Sequence, residues 1–128
     1  MAKPKYWVVG AAWYGKEYQD EKWVKLGIWI LGWREGSQYE KAQQIRPGDR
    51  IAIKRIMGKG NGKGSQGIKI MHLGIVKGAV PDSDFPTFTV DWVAKNLDRE
   101  VAESHGTLAS IHGPYEYDDE WVRTIFCL

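Results

Sequence analysis

The apolar positions of this chain fall in short runs broken by glycine and charge, more often at a spacing of two than at a helical spacing. The segment from Tyr6 to Trp13, YWVVGAAW, is apolar on both faces and predicts a central strand. Tyr14 to Lys25 is polar and predicts a loop or one helical turn. GIWILGW, from Gly27 to Trp33, is rich in strand formers and predicts a strand carrying two tryptophans. Ser37, with Glu40 three residues on and Tyr39, Ala42 and Ile45 at helical spacing, predicts a short helix over Ser37 to Ile45. RPGD, Arg46 to Asp49, makes a turn.

From Arg50 to Met57 the alternation places Ile51 and Ile53 on one face of a strand and Lys54 on the other. A glycine-rich loop, Gly58 to Gly67, leads into a long strand or bent pair over Ile68 to Val80. Another strand covers Phe85 to Val93, where Phe88, Val90 and Trp92 alternate with Thr87, Thr89 and Asp91. Ser104 to Gly113 reads as a polar connector. Asp118 to Phe126 closes as a short helix capped by Asp118 or Asp119, with Trp121, Val122, Ile125 and Phe126 on one stripe. Five or six strands, glycine bends and two short helices predict a mainly β (α+β) chain curved into a small barrel.

At 128 residues the chain is the size of one domain spanning 1–128, and 43% hydrophobic content can bury a core without disulfide or metal staples. The lone Cys127 forms no intramolecular disulfide. With no apolar run near eighteen residues and no signal-peptide stretch, the expectation is a cytoplasmic protein with no membrane partner. The net charge of +2 hides a strong polarity: residues 50–80 hold seven basic side chains and no carboxylate, while residues 81–128 hold three basic and ten acidic. An anionic partner fits that basic block, whose Lys54, Arg55, Lys59, Lys63 and Lys69 form the expected backbone-contacting rim. Seven tryptophans exceed the ordinary needs of so small a core, so some are expected to be binding surface. Trp7, Trp92 and Trp121 fit the core pattern. Trp29 and Trp33 share strand parity and therefore one face, which is packing if it is the interior and a binding wall if it is not.

Catalysis finds no constellation. Gly62, Gly64 and Gly67 have dinucleotide-loop spacing but precede a strand rather than a helix, and Lys63 does not complete a phosphate loop. His72, His105 and His112 are not spaced for one metal, and Ser104 beside His105 has no nucleophile elbow. No cofactor is expected.

The ordered landmarks YWVVGAAW, GIWILGW, PGD with IAIKR, IKIMHLGIV and FTVDWV resemble the PUA-like superfamily, in particular its EVE and YTH branches. The resemblance is closest to the DNA-binding domains at the front of McrB-type restriction GTPases and spans about residues 5 to 127. It implies a PUA-like curved β-barrel that recognises a modified base, methylated adenine or modified cytosine, by flipping it into an aromatic pocket. DNA is implied in preference to RNA, and the chain is expected to be either a targeting module of a longer chain with a GTPase or nuclease domain or a small stand-alone protein. Carried over by position, Trp29 is the first pocket wall. The second comes from the loop Pro81 to Pro86, which offers Phe85, with Trp13 and Trp33 as substitutes. The function so implied is non-catalytic. The rival readings are an RNA-binding PUA-like domain without modification specificity, an aromatic cage for a methylated ammonium group, which the carboxylate-free block disfavours, and an enzyme.

Overall fold

The computed structural model describes residues 3–13, 17–56, 67–101 and 111–127, with the backbone alone at 12, 13, 17 and 56. Nine strands and three helices follow one another among the described residues: β1 Tyr6–Gly10, β2 Ala12–Trp13, β3 Glu17–Tyr18, α1 Asp20–Leu26, β4 Ile28–Ile30, α2 Ser37–Ala42, β5 Arg50–Ile56, β6 Ile68–Ala79, β7 Thr87–Ala94, β8 Arg99–Val101, β9 Ile111–Tyr115 and α3 Glu120–Phe126. Seven strands make one curled, half-barrel sheet in the order β4-β7-β6-β5-β1-β9, with β8 paired to β6. The chain is mainly β, as its alternation predicts.

Strand β6 is the spine. Its first residues pair with β8, Ile68 opposite Val101, and its later ones with β7, while β5 runs along its other edge. Register shifts between Leu73 and Gly74 and between Val76 and Gly78 break the β6–β7 ladder, and such bulges bend a strand and raise its twist. Gly74 is required by close approach: a Cβ there would stand 2.4 Å from the Val90 side chain and 2.8 Å from the Trp92 ring.

Strand β1 lies inside the sheet, parallel to β5 and antiparallel to β9, which explains why YWVVG is apolar on both faces. Trp7, Val9, Ile51 and Ile53 pack on one side with Trp23, Trp29, Phe88 and Trp92. Val8 and Ala52 pack on the other with Ile70, Trp121, Val122 and Ile125. The three tryptophans expected in the core, Trp7, Trp92 and Trp121, are buried.

The helices differ from expectation in detail. The polar stretch before Gly27 contains α1, which buries Trp23 and is ended by Gly27 at φ 71°, a left-handed cap. The expected capping box at Ser37 does not form. Gly36, at φ 90°, precedes the first turn of α2, no side chain caps it, and Ser37 is already helical. In α3 the expectation holds, with Asp119 Oδ1 accepting from the amides of Trp121 at 2.9 Å and Val122 at 3.3 Å. Within the expected connector Ser104 to Gly113, a strand begins at Ile111; residues 102–110 lie outside the described residues. No helix among the described residues is long and apolar enough to cross a membrane.

Candidate nucleic-acid interface

Strand β4 is only three residues long and pairs Trp29 with Phe88 of β7. Trp29 is 0% exposed, donates its indole N–H to the Gly10 carbonyl at 2.9 Å, and lies nearly parallel to Phe88 at 6.0 Å between ring centroids. A base cannot stack on a ring so enclosed, so the expectation that Trp29 forms a pocket wall is corrected: it is core. The shared-face argument fails for a local reason. The chain leaves β4 after Ile30, Leu31 donates to the Pro86 carbonyl, and Trp33, off the strand, is 50% exposed. For Trp13 the description covers the backbone, which pairs with Glu17.

Two members of the expected basic rim, Lys54 and Arg55, are also corrected. Lys54 and Arg55 are successive residues of β5 and face opposite sides of the sheet. Lys54 is 4% exposed, and burial lowers its ammonium pKa from the ordinary 10.5 to about 8. Arg55 is committed internally, paired to Asp20 at 2.7 Å and lying over the Tyr18 ring at 4.4 Å. Lys69 pairs with Asp98 at 3.2 Å. Lys59 and Lys63, and with them most of the loop Gly58 to Gly67, lie outside the described residues.

Asp20, at the first turn of α1, organises the polar centre beneath these residues. Its second oxygen meets His72 Nε2 at 2.9 Å, while His72 Nδ1 accepts from the Asn96 amide at 3.1 Å. That acceptor role places the ring proton on Nε2, so His72 donates to Asp20. Burial pushes the Asp20 carboxyl up, but the hydrogen bonds from His72 and Arg55, reinforced by the charge of Arg55, outweigh it and lower its pKa. The centre joins α1 to β5 and β6. Both ring nitrogens of His72 are thereby engaged.

A cleft of about 460 Å³ opens between α2 and the connection from β6 to β7. Tyr39 and Gln43 reach it from one face of the α2 turn, Ser83 and Asp84 from the connection, and Arg34 and Arg46 from the loops flanking α2. Phe88 forms part of its wall, so Trp29 stands one ring behind the cleft and supports Phe88. The connection is held by hydrogen bonds from Val80 N to Thr87 O at 2.8 Å and from Thr87 Oγ1 to Phe85 O at 2.9 Å. Phe85 lies under the Arg34 guanidinium, 4.4 Å from ring centroid to the central carbon.

This volume is within the range of small-ligand pockets, and the lining combines aromatic faces, two guanidinium groups and side chains able to read a polar edge. The loop Pro81 to Pro86 therefore does line a cleft, but its contribution is polar where the resemblance implies an aromatic wall. Arg34, Tyr39, Gln43 and Arg46 escaped the sequence reading, because no local pattern brings α2 against a turn forty residues later. Among the described residues no three of His, Cys, Asp and Glu are grouped to hold a metal. The chain matches no protein-family model, and no curated protein matches it.

Proposed function

We propose that this chain is a non-catalytic nucleic-acid-binding module of the EVE/YTH-like, PUA-like kind. It takes a modified base, methylated adenine or modified cytosine, out of its stack and into the cleft between α2 and the β6–β7 connection, and it does so on DNA. The observation that carries the reading is that cleft: about 460 Å³, walled by Phe88 with Trp29 behind it, and bordered by Arg34 and Arg46. The loop Pro81 to Pro86 lines it, and this is the loop from which YTH-like domains draw a pocket wall.

Trp33 is half-exposed and next in sequence to Arg34, which lines the cleft, and on that placement it is assigned the stacking role in place of Trp29. Stacking on an aromatic face contributes about 1–3 kcal/mol, close to what extruding a base costs. Phosphate contacts and polar edge contacts must therefore tip the balance. Asp84, Gln43 and the Ser83 hydroxyl oxygen can accept from an exocyclic amine, and Gln43 can donate to a ring nitrogen or carbonyl. A buried methyl adds about 0.8 kcal/mol. Such a module would act in the cytoplasm as the targeting part of a longer restriction protein.

The test is a binding panel of oligonucleotides carrying N6-methyladenine, 5-methylcytosine or the unmodified base, as DNA and RNA, single and double stranded, at two salt concentrations. Preference for a modified DNA base, lost in Trp33→Ala and Asp84→Ala, supports the reading. Binding without such a preference favours the shape-reading RNA alternative, and no binding at all removes both.

A further inference from the structure

We propose that the cleft at the RPGD turn is a phosphodiester site that holds the nucleic-acid backbone next to the seated base. The proposal rests on the reading above and extends it to where the strand runs. The cleft is about 480 Å³, with Lys3, Lys5, Arg46 and Arg50 at its sides and proline rings, including Pro47 and Pro114, among its lining. Arg46 lines this cleft and the base cleft alike, so the two adjoin at that residue.

The local hydrogen bonding leaves the charge of the two guanidinium groups uncancelled. Asp49 is buried at 4%, and both its oxygens are occupied: Oδ1 accepts from the Lys5 amide at 3.0 Å, and Oδ2 accepts from Trp7 Nε1 at 2.9 Å and the Arg46 amide at 3.0 Å. This carboxylate ties the segment before β1 to the turn before β5 and shapes the cleft. The arginines are oriented by neutral carbonyls, Arg46 by Gln43 O at 2.8 Å and Arg50 by Gly48 O, which fix a guanidinium without cancelling its charge. Lys5 pairs with the exposed Glu116. Four cations thus face two carboxylates, one of them buried beneath three donors. Forked guanidinium groups over an apolar floor match phosphodiester oxygens, and the shared Arg46 makes the backbone of the strand whose base is seated next door the occupant.

The experiment measures the affinity of single-stranded DNA 9-mers, with and without a central N6-methyladenine or 5-methylcytosine, across 50 to 200 mM salt. The proteins are wild type, Lys3→Gln, and Lys3→Gln with Arg50→Gln, each checked for an unchanged melting temperature. Single-strand binding loses about 0.7 of log–log slope per phosphate contact removed. The single variant should flatten the slope by about 0.7 and the double by about 1.4, while the ratio of modified to unmodified affinity stays at the wild-type value. An unchanged slope in the folded Lys3→Gln variant overturns the proposal and leaves the base cleft standing. A flattened slope in a protein whose wild type shows no base preference sustains the phosphate site and sinks the modified-base reading. Loss of preference together with slope overturns the proposal, because the substitutions would then act on the base cleft, and absence of binding by wild type ends both.

Discussion

Replacing Trp29 by Ala separates a structural ring from a binding ring. The indole is 0% exposed, bonded to the Gly10 carbonyl at 2.9 Å and parallel to Phe88. Truncating a fully buried aromatic to Ala costs about 3–5 kcal/mol, and leaving Gly10 O without its donor adds about 1 kcal/mol. For a domain of this size each kcal/mol moves the midpoint by about 4 °C, so a fall of roughly 20 °C is expected. Trp29→Phe keeps a ring behind Phe88 and loses the hydrogen bond, for a cost of about 1–2 kcal/mol. Urea denaturation followed by far-ultraviolet circular dichroism is the assay, since seven tryptophans make fluorescence ambiguous. In contrast, Trp33→Ala should leave stability within about 0.5 kcal/mol while weakening oligonucleotide binding. If Trp29→Ala were neutral for stability and abolished base preference, the assignment of Trp29 to the core would be wrong.

Three further outcomes follow from the buried polar groups and the tight sheet. The folded pKa of Lys54 lies below its ordinary value, so the native state releases a proton that the unfolded chain keeps between pH 8 and 10.5, and stability rises with pH across that window. At pH 7 the cost is about 3 kcal/mol at 1.36 per unit, so Lys54→Met should stabilise at pH 7 and lose that advantage toward pH 10.5, as denaturation at both pH values would show. Asp20 has a lowered pKa, so its contribution is present above the ordinary carboxylate value of 3.8 and is lost as pH falls through the folded value. Asp20→Asn should cost about 3 kcal/mol at pH 7 and flatten the acid limb of the stability profile. Gly74→Ala drives a methyl into Val90 and Trp92 and should destabilise by about 1–3 kcal/mol, measured by thermal melting.

The alternation of Phe88, Val90 and Trp92, the opposite facing of Ile53 and Lys54, and the Asp119 cap were legible because each is decided within a few residues. Helix α1 carried its signals too, acidic residues in the first turn and Gly27 after the last, but its polar surface resembled a loop. Trp29 and Trp33 could not be sorted from sequence, since the glycine at position 32 did not announce that β4 ends at Ile30. The fate of the basic block was equally hidden. Whether a lysine is solvated or buried depends on which element covers its face, and the Asp20 that captures Arg55 lies thirty-five residues away. The Tyr39, Gln43 and Asp84 cleft depends on tertiary placement alone.

The most direct test of the central claim is backbone amide chemical-shift mapping of the labelled protein titrated with a 9-mer carrying N6-methyladenine or 5-methylcytosine, against the unmodified strand. One modified strand should perturb Arg34, Gln43, Ser83, Asp84 and Phe88 most strongly, and the unmodified strand should perturb Ser83 and Asp84 far less. Shifts centred on another surface, such as Tyr6, Val93 and Tyr117, or identical shifts with every strand, would contradict a modified-base site in this cleft.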